Sequence, residues 1–406
     1  MAIFLIIILA VLVFSFAFFK IGDAFSPWML TSVVWLGIFV MFQFLGDNLF
    51  PLQDRLYNCV SIWIPILTVS SLVVYYAFPD SSGRSDNQKI ELSENIYMVL
   101  FVISMVCSPL YLYQVIKVVM MFDTQNLLNN IRILSSYGEK DALVSLLKYV
   151  NTINQTLFVV ELWRYPNGNK WRFTAIVAAN LFCAFAIMSK TPIFILFIST
   201  LYVLYEKKKV KLSTIFFWGI IIIGLFFEIN ELRKPENERG EKTFLDFFSI
   251  YVLSPSVAFE WAQEKLTDQF GSFSFAFFYA FASKLGLGTF YVQKQLQDFV
   301  FVPVPTNVYT VFQPYFEDFG YKGVAFFASL WGVLTGFVYR MCRNGHPFAR
   351  CMYAYFVFAL VMQFYQESLF VNLSIVLQYA IFFFLILGKN FTFALLPDKK
   401  GGEYKQ

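Results

Sequence analysis

The chain is dominated by apolar runs that are long enough to cross a lipid bilayer. Hydrophobic residues make up 58% of its 406 residues, and charged residues make up only 14%. A soluble domain carries about a quarter charged residues, and a helix that crosses a membrane needs about 20 apolar residues. The sequence therefore predicts an all-α polytopic membrane protein.

The sequence contains eleven runs of this kind. One long stretch, in which polar and apolar residues alternate, lies between the eighth and the ninth run. The chain divides into a bundle of about eight helices at 1–230, a mostly extramembrane segment with helices at 231–320, C-terminal helices at 321–388 and a tail at 389–406. Residues 274–290 are apolar but contain Lys284 and glycine or serine breaks, so we predict a re-entrant or interfacial segment there. The eleven predicted transmembrane helices are 2–19, 27–45, 58–78, 95–118, 148–163, 172–189, 191–205, 212–230, 321–339, 351–368 and 372–388.

The basic connections predict the orientation of the helices. Cytoplasmic loops are enriched in lysine and arginine. In the eleven-helix arrangement the loops around 164–172, 207–211 and 340–350 fall on one side, which we predict to be cytoplasmic. The C-terminus then lies on that side, and the N-terminus and the segment 231–320 lie on the opposite, outer side.

The sequence lacks the motifs that several classes of protein require. The sequence contains neither G-x-x-x-x-G-K-[ST] nor G-x-G-x-x-G, and the loops on the basic side are too short for a nucleotide-binding domain. The five cysteines form no C-x-x-C motif, and the net charge of +4 reflects loop bias rather than a nucleic-acid surface. We expect no cofactor, no nucleic-acid partner and no metal, since Glu317-Asp318 alone is too few groups for a divalent ion.

Lys190 lies in a tight predicted hairpin between two apolar helices, in the run 188–192. A lysine beside a helix start can bind an anion, because the unpaired N–H groups and the positive end of the helix dipole favour negative charge. The alternative is a lysine that reaches toward lipid headgroups.

Polar side chains also lie within two predicted helices. Polar groups inside a membrane are costly, and they normally face a bundle interior or a wet cavity. Hydrogen bonds that only hold the helices together are an equally plausible explanation. The residues concerned are Lys148, Asn151, Asn154 and Gln155 on one helix and Gln363, Gln366 and Glu367 on the other.

The outer segment contains further candidates. The side chains of Arg233 and Arg239 suit the two phosphates of a diphosphate, although a solvated charged loop is the alternative. The pair Glu317-Asp318 beside aromatic residues could act as a general base, because burial and a neighbouring like charge raise a carboxyl pKa. Asp318 could instead cap the helix that follows it.

One run carries a family resemblance. Pro305-Thr-Asn307-Val-Tyr309-Thr is followed after seven residues by Asp318-Phe-Gly320-Tyr-Lys-Gly323 and a helix. This pattern resembles that of the Wzy-type O-antigen polymerases and other oligosaccharide repeat-unit polymerases, which are related to the O-antigen ligases. The hairpin Ser189-Lys190-Thr191 is similar to the Ser-Arg/Lys-small motif of the same family.

The resemblance implies a GT-C-like fold in the bacterial inner membrane and a glycosyltransferase that polymerises glycan repeat units on undecaprenyl diphosphate at the periplasmic face. Lys190, with Arg233 or Arg239, would hold the diphosphate. Relatives commonly have a histidine where this chain has Thr306. The proton acceptor would therefore be Asp318, Glu317 or Glu260. The expected substrate-binding residues are Asn307, Tyr309, Tyr315, Asn151, Gln155 and Glu367.

Partners would be undecaprenyl-diphosphate-linked glycans, membrane lipid and a chain-length regulator. Two other activities are compatible with such a chain. A flippase for the lipid-linked unit would have short loops on both faces, and the segment 231–320 argues against it. An O-antigen ligase would share the lipid donor, and the missing histidine before Asn307 disfavours it.

Overall fold

The fold is a bundle of apolar helices with a single short β-hairpin among the described residues. The computed structural model describes residues 1–79, 90–121, 146–211, 243–261, 269–292 and 297–388, with isolated positions at 130–131, 134 and between 213 and 228. Its helices are α1 (Ala2–Phe18), α2 (Pro27–Leu45), α3 (Asp54–Ala77), α4 (Glu94–Val119), α5 (Val150–Arg164), α6 (Lys170–Ile187), α7 (Lys190–Glu206), α8 (Phe244–Trp261), α9 (Ala276–Lys284), α10 (Gln313–Arg343), α11 (Pro347–Val361), which continues as a 3-10 turn (Met362–Phe364), and α12 (Leu373–Leu387). Strands β1 (Val300–Phe301) and β2 (Pro305–Thr306) pair antiparallel.

The helices agree with an all-α, multi-pass membrane protein. Six described helices are long and apolar enough to cross a membrane, namely α2, α3, α4, α6, α10 and α11 with its 3-10 turn. Helices α1 and α12 are apolar but shorter. The count is therefore lower than the eleven predicted spans, and much of the predicted helix 212–230 lies outside the described residues.

Helix α8 lies inside the segment that was predicted to be mostly extramembrane. Its C-terminal half, from Val252 to Glu260, is buried on all sides and contacts α2 and α3. Asp246, Pro255 and several serines interrupt its apolar character in the sequence. Tertiary packing, rather than an unbroken apolar run, therefore makes this helix part of the bundle.

The closest helix pair is α3 with α10, and it depends on small residues. A methyl group at Gly336 would come within 2.6 Å of the Ser71 carbonyl oxygen, and one at Gly332 would come within 2.6 Å of the Leu67 carbonyl oxygen. The spacing of four residues places both glycines on one face of α10. In membranes such small residues let helix backbones approach closely, where van der Waals contacts hold them together.

Contacts between the connections define two ends of the bundle. At the basic end, Lys207 donates to the carbonyl oxygens of Leu162 and Trp163, and Arg343 bonds to Glu206. The connections 162–172, 207–211 and 340–350 therefore meet, and their predicted grouping on one side is confirmed. We call the opposite end, which contains 46–54, 188–190, 300–318 and 365–372, the site end.

Candidate functional site

Lys190 starts α7 at the site end. Helix α6 ends at Ile187, Met188 adopts a left-handed backbone conformation with φ 49°, and Ser189 precedes the first turn of α7. The tight hairpin predicted around Lys190 is therefore present. The half-buried Lys190 ammonium lies 4.3 Å from the centroid of the Tyr251 ring and 4.9 Å from that of Phe247.

These aromatic rings belong to a cluster that joins three parts of the chain. The Tyr251 ring of α8 lies 5.1 Å from Tyr365 and 6.4 Å from Phe194 of α7. A cation over a partly desolvated ring is stabilised by up to about 2 kcal/mol. The cluster therefore holds a positive charge at the junction of α7, α8 and the connection 365–372.

Glu260 lies at the C-terminal end of α8 and is buried. Its carboxylate oxygens accept hydrogen bonds from the backbone N–H groups of Arg55, at 3.1 Å, and Leu56, at 2.7 Å. The first N–H groups of a helix have no partner within that helix, so a carboxylate placed there stabilises it. Glu260 thus caps α3, and a role as general base would require it to give up these bonds.

Asp318 lies in the first part of α10, next to a break in the helix at Gly320, where φ is 59° and ψ is −149°. Its carboxylate accepts hydrogen bonds from the backbone N–H of Phe273 at 3.2 Å, from that of Ser274 at 2.6 Å and from the Ser272 hydroxyl at 3.4 Å. The idea that Asp318 caps the helix that follows it is wrong. Its partners instead form the turn that leads into α9.

Tyr309 precedes α10, and Glu317 lies in the first part of that helix. Tyr309 donates its hydroxyl to the carbonyl oxygen of Asp298 at 2.9 Å. Burial, reinforced by the charges of Asp298 and Glu317, raises the pKa of the Tyr309 hydroxyl to about 12. Asn307 is half-buried two residues away, directly after β2. The residues of the sequence motif therefore do meet at the site end.

Tyr315 and Glu367 form a buried polar pair. The Tyr315 hydroxyl donates to Glu367 Oε1 at 2.8 Å and accepts a bond from the Trp331 indole at 3.0 Å. Glu367 also accepts the backbone N–H groups of Leu369, Phe370 and Val371. Burial raises the pKa of the Glu367 carboxyl, while these hydrogen bonds act in the opposite direction. Both side chains are directed into the bundle and are engaged there.

The polar residues of α5 connect neighbouring helices. Gln155 accepts a hydrogen bond from the Tyr379 hydroxyl of α12. Asn154 donates to Ser108 of α4 at 2.8 Å and to the carbonyl oxygen of Ala179 of α6 at 3.3 Å. Asn151 is half-buried at the start of α5, and its side-chain oxygen has no hydrogen-bond partner in the described part of the chain. Gln155 Nε2 is likewise buried without a hydrogen-bond partner among the described residues, so the Tyr379 bond accounts for only one of the two polar ends of Gln155.

Arg55 is a cation at the site end that was not among the predicted site residues. Its guanidinium donates to the carbonyl oxygen of Phe259 at 3.2 Å and lies 5.2 Å from the centroid of the Phe316 ring. It is adjacent in space to the segment that carries Glu317. Arg55 lies in the first turn of α3 and before the predicted helix 58–78, and this position was the sequence signal for it. The predicted diphosphate ligands Arg233 and Arg239 lie outside the described residues.

Comparison with known proteins finds a sequence similarity that covers most of the chain. A protein of Escherichia coli (strain K12) named "Putative O-antigen polymerase" is 24% identical over 369 residues, which cover 87% of this chain and 89% of the relative. The chain is similar to this one protein along most of its length. No family model matches it, and no solved structure matches it, so the GT-C-like fold stays a prediction.

The site end contains both acidic and basic side chains with identified contacts. Three carboxylates bind backbone N–H groups, and two cations, Lys190 and Arg55, lie against aromatic rings. Aromatic faces suit sugar rings, and fixed cations suit phosphate groups. No cluster of three or more histidine, cysteine or acidic residues that could hold a metal occurs among the described residues.

Proposed function

We propose that this protein is a membrane-embedded glycosyltransferase that polymerises oligosaccharide repeat units carried on undecaprenyl diphosphate. The observation that carries this proposal is the similarity to an O-antigen polymerase along 87% of the chain. The site end of the bundle supports it, because it brings the sequence motif 305–323 together with Lys190 at one face of a multi-pass protein. In this proposal that face is periplasmic, the membrane is the bacterial inner membrane, and a chain-length regulator is the partner.

The reaction transfers a glycan chain from one lipid carrier to the repeat unit on another. A hydroxyl oxygen of the acceptor sugar forms a bond to the anomeric carbon of the donor, while the bond from that carbon to the diphosphate oxygen breaks. The bonding electrons leave with the diphosphate, so negative charge develops there. Lys190 is suited to stabilise that charge, because its ammonium lies at the site end and is partly withdrawn from water.

The acceptor hydroxyl must lose a proton in this step. Among the three acidic candidates, Glu260 and Asp318 are bound to backbone N–H groups. We assign the proton to Glu317, because it belongs to the motif run 305–323 and its charge acts on the Tyr309 hydroxyl. In this assignment Asn307, Tyr309 and Asn151 contact the sugars, and catalysis proceeds without nucleotide or metal.

The test is the banding pattern of surface polysaccharide from a deletion strain that carries plasmid-borne variants. The deletion should leave lipopolysaccharide with one repeat unit in place of a ladder, and the wild-type gene should restore the ladder. Lys190→Met, which keeps the contact with the rings but removes the charge, should also give one unit. Lys190→Arg should restore the ladder at least in part, and Lys170→Met, at an exposed lysine that starts α6 at the basic end, should restore it fully.

The same experiment separates the other activities. Loss of a flippase would abolish the single-unit product as well, and loss of a ligase would leave polymer on its lipid carrier. Either pattern would overturn the proposal. Polymerisation by the purified protein from lipid-linked repeat units alone, with a chelator present, would establish that neither nucleotide nor metal is needed.

A further inference from the structure

Residues 269–292 form a closed apolar hairpin at the site end. The Gln269 side chain donates to the carbonyl oxygen of Tyr291 at 2.9 Å and accepts from the Tyr291 N–H at 3.0 Å, which joins the two ends of the segment. Helix α9 lies between them. Near the base of the hairpin, where its two ends meet, the Tyr279 hydroxyl donates to the carbonyl oxygen of Phe270. The hairpin is therefore a defined element.

The hairpin exposes large apolar side chains, and the most exposed ones on α9 and at the residue directly after it, Phe278, Phe281 and Leu285, share one face. None of the nine residues of α9 is buried. Phe281 is 55% exposed, and Leu287, beyond the helix, is 71% exposed. A helix that docks on a protein surface has one apolar face and one polar face, whereas the sequence AFFYAFASK is apolar on all sides until Lys284. A large exposed apolar patch of this kind marks a surface that contacts a membrane or another protein.

The base of the hairpin is fixed to a membrane-spanning helix. Asp318 of α10 accepts the N–H groups of Phe273 and Ser274, and the Ser274 hydroxyl donates to the carbonyl oxygen of Pro314. The Phe275 ring lies 6.1 Å from Phe327, whose neighbour Phe326 is 57% exposed on α10. The apolar surface of the hairpin is thus continuous with the exposed face of a helix that is apolar enough to cross the membrane.

We propose that this hairpin is inserted in the hydrocarbon of the bilayer leaflet at the site end, and that Asp318 is the positioning residue that holds it there. The occupant of its apolar surface is the acyl-chain layer. Lys284, at the end of α9, can extend its ammonium to the lipid phosphates while its methylene groups stay in the apolar layer. The proposal does not depend on the proposed reaction, since it concerns only where the hairpin lies and what holds it.

The test uses nitroxide labels on the full-length protein in nanodiscs of phosphatidylethanolamine and phosphatidylglycerol. The native cysteines are buried except Cys107, so Cys107→Ser provides the background. A label at Phe281→Cys should be several-fold more accessible to oxygen than to a water-soluble nickel complex. Phe326→Cys is the matched lipid-facing control, and Gln53→Cys, at an exposed polar position of the site end, is the aqueous control. Nickel accessibility equal to that of Gln53→Cys, or protection from both reagents, would overturn the insertion.

The role of Asp318 is tested with the same label. Asp318→Ala removes the acceptor of three hydrogen bonds, so the label at position 281 should lose its preference for oxygen over nickel. Asp318→Asn, which keeps one acceptor oxygen and is the milder variant if the alanine variant does not fold, should give a smaller shift. Glu317→Ala, next to it, should give none. An unchanged label in both Asp318 variants would reject the positioning role, whatever the activity of the variants.

Discussion

The two ends of the helical bundle use their acidic side chains in different ways. At the basic end, carboxylates pair with arginines: Arg343 bonds to Glu206 through two hydrogen bonds, and Arg164 bonds to Glu161 at 2.9 Å. At the site end, carboxylates accept hydrogen bonds from the backbone N–H groups of connections and helix starts. The residues concerned are Glu260, Asp318 and Glu367.

The difference shows which end is built to hold its connections in a fixed geometry. Removing a carboxylate that binds buried N–H groups leaves those groups without partners, which costs about 1–3 kcal/mol for each group. Removing one member of a partly exposed ion pair costs about 1 kcal/mol or less. Among the described residues, the site-end connections are therefore the ones whose geometry depends on buried carboxylates, and they carry polar and cationic residues that the proposed reaction uses.

Glu367→Ala should have the largest effect on stability. It removes the acceptor of three backbone N–H groups and of the Tyr315 hydroxyl in a fully buried position, so we expect a loss of about 4 kcal/mol in the free energy of unfolding. Thermal unfolding of the purified protein in detergent measures this. Gln366→Ala, at the half-buried neighbour, should change the midpoint little. Equal effects of the two variants would mean that Glu367 does not organise the connection.

Glu260→Ala should have the next largest effect. The first turn of α3 loses its cap, and we expect a loss of about 2 kcal/mol. Glu260→Gln keeps one acceptor oxygen and should be closer to wild type in stability. It should also still give a polysaccharide ladder. A stable Glu260→Gln protein that gives only one repeat unit would show instead that the carboxylate takes part in the reaction.

Local features of the fold could be predicted from the sequence. The predicted helix 27–45 coincides with α2. A membrane helix can be recognised locally, because it depends on the length of its own apolar run and on the residues that flank that run. The hairpin at Lys190 could also be predicted, since a tight turn depends on neighbouring residues. Helix α8 was harder to recognise, because its polar and apolar residues acquire their roles only when it packs on α2 and α3.

The roles of the carboxylates could not be predicted, because their partners are distant along the chain. Glu260 caps a helix whose Arg55 lies 205 positions away, and Asp318 binds a turn 44 positions away. In the sequence each looks like an acid beside aromatic residues, which describes a general base equally well. Only the folded structure shows which carboxylates have backbone partners.

Arg343→Gln tests the basic end and should have a smaller effect. The arginine bonds to Glu206 and also pairs with Asp23, so its loss should lower the free energy of unfolding by about 1 kcal/mol. The difference from wild type should shrink as salt is raised, because the pair is partly exposed. The polysaccharide ladder should be unchanged. A loss equal to that of Glu260→Ala would remove the contrast between the two ends.

Glu94→Gln should have the smallest effect of these variants. The Glu94 side chain is 56% exposed, and its oxygens lie 3.9 Å from Arg164 and 3.5 Å from Arg172. Arg164 keeps its closer partner Glu161 when Glu94 is neutral, so we expect a loss of about 0.3 kcal/mol. Thermal unfolding at low salt is the most sensitive measurement of this loss in the free energy of unfolding. If the loss instead exceeds that of Arg343→Gln, ion pairs at the basic end must act as a connected network, and their carboxylates must hold connections as firmly as those of the site end.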